Sequence, residues 1–254
     1  MPAHIDRRSV DYSSQTYWDS RFSHERTFEW LAPSSGILPR ISHVLEDMGE
    51  IPLARCKIVH IGCGNSELSL DLRRFVSDVP EVQVLNIDYA AAALKRMQDT
   101  EIAKFGDSRM RWEVVNLLDW DATRKAVLAD GIIRRELEPE MLVVVDKSCS
   151  DAIACGEDVE TPLNTTKMHP MQALTLHLGA TAAPGSIWIA LSHSPERFDF
   201  LPLSNDDTGK HLWEIIRTEK IPAQTGLDLQ SRINVHAPEI YHTLFTLRRT
   251  PQNV

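Results

Sequence analysis

Residues 56–70 read CKIVHIGCGNSELSL, which has the order of a strand, a tight turn and the start of a helix. The β-branched residues within 58–61 are typical of a buried strand, and the apolar residues of 68–76 recur at helical spacing. Gly62 and Gly64 allow a sharp turn and the close approach of a ligand, because neither carries a Cβ. Open α/β sheets bind nucleotides at such units.

Two carboxylates bear on which nucleotide this unit binds. A dinucleotide-binding turn has a third glycine three residues after the second, and here that position is Glu67. A carboxylate there disfavours a phosphate and favours a ligand that carries positive charge. Asp88 follows the strand-like residues 82–85 and is placed to bind a ribose diol. The two observations together favour a cationic nucleoside such as S-adenosylmethionine.

Residues 60–69 resemble the first motif of the class I S-adenosylmethionine-dependent methyltransferases, in the branch of the elongation factor 1A lysine methyltransferases. Further matches extend the resemblance over roughly residues 12–200. It implies a Rossmann-like α/β fold with a seven-stranded, mostly parallel sheet, helices on both faces and strand order 3-2-1-4-5-7-6. It also implies S-adenosylmethionine as cofactor. The binding residues that it implies around the first two strands are Gly62, Cys63, Gly64, Asn65, Asp88 and Tyr89.

The composition limits the other possibilities. The formal net charge of −9 and the absence of a basic cluster argue against nucleic acid as a partner. No apolar run reaches the ~18 residues of a membrane span, and no signal core is visible, so we expect no membrane association. The four cysteines lack zinc-ligand spacing, which predicts no metal and reduced thiols in the cytoplasm. The sequence leaves the oligomeric state open.

We expect residues 1–11 to be a flexible tail and residues 12–254 to be one methyltransferase domain, with 12–50 as a helical cap. The run from Tyr17 to Phe22 resembles the entry helix of the same branch, and residues 28–30, Phe-Glu-Trp, resemble the segment that follows it there. In that family such an N-terminal segment folds over the cofactor. By that resemblance Arg21 faces the methionine carboxylate, and Trp18 and Trp30 border the cofactor. The alternative is that both tryptophans are only core and that Arg21 is a surface charge.

The remaining elements follow from periodicity and turn residues. Strands are predicted at 56–61, 82–87, 110–115, 141–145 and 186–191, and a hairpin joins 216–222 to 240–248. Helices are predicted at 13–22, 36–48 (closed by Gly49), 66–76, 90–100, 121–129, 168–180 and about 210–217. Residues 131–140 read as irregular and 155–166 as a loop.

The third strand leads into residues 116–120, Asn-Leu-Leu-Asp-Trp. The family carries an acidic residue here that accepts from the adenine amino group, so the resemblance assigns that role to Asp119 and places Leu118 beside it. Aspartate is also a common helix N-cap, and the helix predicted at 121–129 leaves that alternative open.

The fourth strand ends in residues 146–152, Asp-Lys-Ser-Cys-Ser-Asp-Ala, which resemble the Asp-Lys-Gly-Thr-Leu-Asp-Ala motif of the branch. Three central residues differ, close to the wall that faces the transferred methyl group. The resemblance assigns Asp146 both cofactor contact and orientation of the nucleophile. Lys147 is a catalytic-site candidate, more as a charge-balancing partner than as a nucleophile, and Asp151 is either part of the site or a helix cap.

His193 follows the fifth strand, on the ligand side of the sheet, and is therefore the best candidate for a general base. The leading prediction is in-line methyl transfer from S-adenosylmethionine to a nucleophile. An amine is favoured, as in a protein lysine, and a small-molecule N-, O- or S-acceptor is the alternative. A non-catalytic cofactor-binding module is the alternative of another class.

Overall fold

A computed structural model describes residues 10–47, 56–129, 141–202, 211–223 and 239–252. Most of the predicted tail, the helix end at Gly49 and the irregular stretch 131–140 lie outside these ranges. The strands are β1 Cys56–Ile61, β2 Gln83–Asp88, β3 Arg111–Val114, β4 Met141–Lys147, β5 Val159–Thr161, β6 Asn164–Met168, β7 Ile187–Ser192, β8 Trp213–Pro222 and β9 Tyr241–Arg249. The helices are α1 Gln15–His24, α2 Ser34–Asp47, α3 Leu68–Phe75, α4 Ala91–Phe105, α5 Trp120–Leu128, α6 Cys149–Ile153 and α7 Pro170–Thr181.

Seven strands form one sheet in the order β3-β2-β1-β4-β7-β9-β8. The pairs from β3 to β7 are parallel, and β9 runs antiparallel to both of its neighbours. This is the strand order that the resemblance implies, so the predicted fold class is confirmed. β1 lies inside the sheet, between β2 and β4, and all six of its residues are buried, as expected of a strand that is covered on both faces.

Alternate side chains of the central strands enter two cores, one on each face of the sheet. Leu142 and Val144 of β4 belong to one cluster, whereas Val143 and Val145 belong to the other. Within the described ranges, no helix is both long enough and apolar enough to cross a bilayer.

The register brings the carboxyl ends of four strands to one edge. Ile61 is level with Ile87 of β2 and with Asp146 of β4, and Lys147 is level with Leu191 of β7. The glycine turn, the end of β2, the 146–152 motif and the residues after β7 therefore meet at this edge. Ligands of open α/β folds bind there.

Two predictions about the second half of the chain are wrong. The helix expected at about 210–217 is instead the start of β8, where Trp213 pairs with Arg249 of β9. Pairing with a distant strand overrides a weak local helix preference, and it buries Trp213 and Ile215 on one face. The loop expected at 155–166 contains β5 and most of β6, which form a separate two-stranded sheet.

Candidate active site

A cavity of about 700 Å³ opens at the carboxyl edge of the sheet. Its wall is formed by the glycine turn, by the ends of β2, β4 and β7, and by residues 12–32, called here the covering segment. The sequence-predicted residues on this wall are Trp18, Trp30, Gly62, Cys63, Gly64, Asn65, Asp88, Tyr89, Leu118, Lys147 and His193. Arg21, Asp119 and Asp146 are not on it.

The two glycines of the turn are required by conformation and by packing. Gly62 and Gly64 have φ of 54° and 49°, which disfavours a side chain at either position. A Cβ on Gly62 would lie 2.5 Å from the Cys149 side chain, and one on Gly64 would lie 2.8 Å from the Phe22 ring. Cys149 of α6 and Phe22 of the covering segment therefore occupy part of the space beside the two glycines, where the sequence predicts a ligand.

Asp88 holds the turn in place from the end of β2. Its Oδ2 accepts from the Gly64 amide at 2.8 Å, and its Oδ1 accepts from the Ala90 amide at 2.8 Å. Burial raises the pKa of Asp88 to about 6, although these hydrogen bonds favour the ionised form. Each oxygen keeps a second lone pair, so a carboxylate in this position can still accept from a ribose hydroxyl.

Asn65 lines the cavity and carries an acceptor left unpaired by the described part of the chain. Its Nδ2 donates to the Glu25 carbonyl at 2.8 Å. Its Oδ1 is buried and has no hydrogen-bond partner among the described residues. Because an unpaired buried acceptor is costly, this oxygen suits a ligand donor such as an ammonium group.

Aromatic side chains of the covering segment close the cavity. Trp18 stacks on Phe22 with ring centroids 5.5 Å apart and meets Trp30 edge-on at 5.8 Å. The Trp18 indole donates to the Tyr12 carbonyl at 2.7 Å, which fixes the ring against the chain. Such rigid aromatic walls are typical of small-ligand pockets.

Arg21 is turned away from the cavity. Its Nε donates to Glu25 at 3.0 Å and its Nη1 donates to the Tyr17 hydroxyl at 2.9 Å. Its guanidinium also lies 3.9 Å from the centroid of the Phe28 ring. The guanidinium of Arg21 is therefore paired with groups of the covering segment itself. It does not lie on the cavity wall, where contact with the methionine carboxylate was expected.

Glu29 is a functional candidate that the sequence reasoning did not single out. Its carboxylate accepts from the Glu67 amide at 2.8 Å and from the Ser66 hydroxyl at 2.9 Å, and it also binds the ammonium of Lys147. Lys147 donates in addition to the Ala32 carbonyl at 3.2 Å. Burial lowers the pKa of Lys147, against the attraction of Glu29. The only sequence signal was the match of residues 28–30 to the family segment.

Asp119 and Leu118 have separate positions. Asp119 is the N-cap of α5, and its Oδ1 accepts from the Ala122 amide at 3.0 Å. Leu118 lies on the cavity wall, together with Leu117. The structure therefore shows the capping alternative for Asp119 and an apolar wall beside it.

Asp146 lies beneath the cavity, with 2% of its surface exposed. Its Oδ1 accepts from the amides of Cys149 at 2.8 Å and Ser150 at 3.3 Å, at the start of α6. Burial raises the pKa of Asp146 to about 7, and the neighbouring Asp151 adds to the shift. The carboxylate is turned toward α6 because the amides there offer it the hydrogen bonds that a buried charge requires.

Asp151 makes several hydrogen bonds and an ion pair at the part of the cavity that lies after β4 and β7, called here the acceptor end. Its Oδ2 accepts from the Ser148 hydroxyl at 2.6 Å and from the His193 amide at 3.0 Å. Its Oδ1 binds Nε and Nη2 of Arg197 at 3.0 and 2.9 Å, and the hydroxyl of Ser192. Burial alone would raise the pKa of Asp151, but these hydrogen bonds outweigh it and lower the pKa.

The charges on the wall favour a positively charged ligand. The wall carries the carboxylates of Glu29, Asp88 and Asp151 and the ammonium of Lys147. Lys147 pairs with Glu29 and Arg197 pairs with Asp151, so Asp88 is the carboxylate that no cation balances among the described residues. His60 also lines the cavity, and burial lowers its pKa to about 3, so its ring is neutral at pH 7. A sulfonium and an ammonium are therefore better matched to this wall than a phosphate.

No protein-family model matches the chain. It is 30% identical to Methyltransferase srdJ of Neurospora crassa over 95% of this chain and 86% of the relative. It is 23% identical to EEF1A lysine methyltransferase 4 of Bos taurus, over 76% of this chain and 66% of that protein.

Among solved structures, the fold matches the N-methyltransferase NodS of Bradyrhizobium japonicum WM9 in complex with S-adenosylhomocysteine. The TM-score is 0.50 at 13% identity, over 95% of this chain and 100% of that chain. This likeness establishes the fold, and the relative from Neurospora crassa, which matches almost the whole chain, establishes the family. The predicted cofactor and enzyme class are thus confirmed, and the chain belongs to the class I S-adenosylmethionine-dependent methyltransferases.

Proposed function

We propose that the methyl acceptor is an amine and that His193 takes up its proton. The observation that carries this proposal is the pair of Asp151 and His193 on a cavity wall rich in carboxylates. Nδ1 of His193 lies 3.0 Å from Oδ2 of Asp151. An amine arrives largely as an ammonium ion, which the carboxylates attract, and it must lose a proton before it can attack.

The residues present suit the cofactor. Bound S-adenosylmethionine supplies a methyl group activated by a sulfonium. The turn of Gly62, Cys63 and Gly64 would hold the cofactor, with Asn65 as the acceptor for its α-ammonium group. Asp88 would accept from the ribose, and Tyr89 and Leu118 would border the adenine. Trp18 and Trp30 would exclude water from the site.

The proposed roles at the acceptor end follow from the contacts. His193 has 58% of its side chain exposed, so the acceptor can reach it from solvent. Asp151 stabilises the imidazolium that forms when the ring takes the proton, as a carboxylate does for a histidine base. Asp146 acts indirectly, because it fixes the start of α6. Lys147 serves as the counterion of Glu29 and has no role as a nucleophile.

Within the amines, we propose the lysine side chain of a protein as the first candidate. The support is the resemblance to a lysine methyltransferase of Bos taurus and the solvent-facing position of His193. The second candidate is a small-molecule amine, which residues 148–150 favour because they differ from the lysine methyltransferase motif.

The test is transfer of tritium from labelled S-adenosylmethionine, with a cytosolic proteome in one reaction and a metabolite extract in the other. Label on lysine of a protein band supports the first candidate, and label on a small amine supports the second. His193→Gln should lower either signal about 10²-fold or more, the usual contribution of a general base. Label on an oxygen or sulfur atom would overturn the amine assignment.

A further inference from the structure

We infer that Glu29 selects the cofactor, because its carboxylate fills the anion-binding position at the start of α3. In this role it excludes nucleotides that carry a pyrophosphate. No part of the proposal depends on the identity of the methyl acceptor.

The position is defined by three donors. The Glu67 amide donates to Oε1 of Glu29 at 2.8 Å, the Ser66 hydroxyl donates to Oε2 at 2.9 Å, and the ammonium of Lys147 binds the same Oε2. Two of these donors directly precede α3, which begins at Leu68. The third comes from the end of β4, on the other side of the turn.

Such a group of donors would otherwise attract an anion. The amino end of a helix carries partial positive charge and unpaired amides, and in dinucleotide-binding sheets it receives the pyrophosphate. Here the full charge of Lys147 adds to it. The carboxylate of Glu29 neutralises that charge and occupies the donors, so a phosphate would have to displace it.

Displacement would also disturb the wall of the cavity. Glu29 lies between Phe28 and Trp30, and all three residues line the cavity. Lys147 in turn holds the Ala32 carbonyl at 3.2 Å, at the end of the covering segment. A ligand without phosphate leaves these contacts intact, whereas a pyrophosphate would have to break them.

Glu67, which the sequence suggested as the repelling carboxylate, points elsewhere. Its Oε2 accepts from Lys104 of α4 at 2.7 Å, and its side chain is 36% exposed. It is absent from the cavity wall. The two glutamates therefore form a matched pair, one in the anion-binding position and one beside it.

The test compares Glu29→Ala and Glu67→Ala with the unchanged protein, by titration calorimetry with inorganic pyrophosphate, NAD and S-adenosylhomocysteine. Glu29→Ala frees all three donors, so we expect pyrophosphate to bind at least tenfold more tightly than to the unchanged protein. The preference for S-adenosylhomocysteine over NAD should fall at least tenfold. Glu67→Ala should behave as the unchanged protein. Adding Lys147→Met to Glu29→Ala should reverse the gain in pyrophosphate binding.

A Glu29→Ala protein that melts normally but gains no affinity for pyrophosphate would overturn the proposal and leave Glu29 a purely structural contact. A gain in Glu67→Ala would overturn it as well. If Glu29→Ala does not fold, Glu29→Ser decides by the same measurements, because its short side chain removes the charge and leaves the three donors without their acceptor. A Glu29→Ser protein with unchanged selectivity would then count against the inference.

Discussion

Nδ1 of His193 and Oδ2 of Asp151 lie 3.0 Å apart, and the same Asp151 oxygen accepts from the backbone amide of His193. The carboxylate thus fixes both the backbone and the ring of His193. Arg197 holds the opposite oxygen of Asp151, so the carboxylate itself cannot rotate. The proposed base, His193, and the carboxylate that holds it, Asp151, can therefore be tested by separate substitutions.

Replacing His193 tests the proton acceptor. His193→Gln should reduce kcat about 10²- to 10⁴-fold, because a general base is lost, while the cofactor contacts stay. Calorimetry should give the same Kd for S-adenosylhomocysteine as in the unchanged protein. A loss of cofactor binding in parallel with kcat would show that His193 shapes the pocket instead.

Replacing Asp151 tests the support of His193. Asp151→Asn leaves the guanidinium of Arg197, whose side chain is 14% exposed, without its counterion, which should cost up to about 3 kcal/mol of unfolding free energy. The double variant Asp151→Asn/Arg197→Met should regain at least half of that stability in urea denaturation. Its kcat should remain low, because His193 still lacks the carboxylate that orients it. Recovery of kcat together with stability would contradict the positioning role.

Replacing Asp88 tests the link between the turn and the cofactor. Asp88→Ala removes the acceptor of the Gly64 amide and the proposed acceptor of the ribose hydroxyls. We expect the Kd for S-adenosylhomocysteine to rise at least tenfold, measured by calorimetry. Asp119→Ala is the control, because Asp119 caps α5 outside the cavity wall and should leave the Kd within about threefold.

Asp146 should impose a pH dependence on stability. Its pKa is about 7 in the fold against 3.8 as the ordinary value, so between these pH values the native state binds more protons than the unfolded state. The unfolding free energy contributed by Asp146 therefore falls as the pH rises, by up to about 1.4 kcal/mol per pH unit, and is level above about pH 7. Asp146→Asn should remove this slope. Urea denaturation between pH 4.5 and 8 checks it, and parallel curves for both proteins would contradict it.

Ser148 adopts φ of 70°, a left-handed conformation that costs a residue with a side chain ~1–2 kcal/mol. Its hydroxyl compensates by donating to Asp151 at 2.6 Å. Ser148→Gly and Ser148→Ala both lose this bond, but only alanine keeps the strain. Thermal or urea unfolding should show the alanine variant to be about 1 kcal/mol less stable than the glycine variant. Equal stabilities would mean that the backbone relaxes at this position.

The sequence predicts the parallel strands of the sheet well, because each of them has a recognisable pattern in its own residues. The β-branched residues within 58–61 and the apolar run of 141–145 are such signals, because burial on both faces favours apolar residues at successive positions. The hairpin predicted between 216–222 and 240–248 is confirmed as β8 and β9, but the first residues of β8 were predicted as a helix. Trp213 and Ile215 become strand residues by pairing with β9, and the local pattern of 210–217 does not indicate that pairing.

In the candidate site, too, some positions follow from the local sequence and others depend on how distant segments pack. The positions of Gly62, Gly64 and Asp88 on the cavity wall follow from adjacency to strands that the sequence identifies. The orientation of Arg21 and the contacts of Glu29 depend on how the covering segment packs, which no local pattern encodes. A side chain at a strand end can also face the layer below the cavity, as Asp146 does, because the choice depends on which amides lie within reach.

The ion pair of Glu29 and Lys147 joins residues 118 positions apart, which sets an order of events during synthesis. At the usual ribosomal speed of ~5–20 residues per second, Lys147 leaves the peptidyl-transferase centre roughly 6–24 s after Glu29. β7, whose end also borders the cavity, is made later still. The covering segment can therefore take its place over the sheet edge only after both strands have been made, and it stays accessible to solvent and chaperones until then.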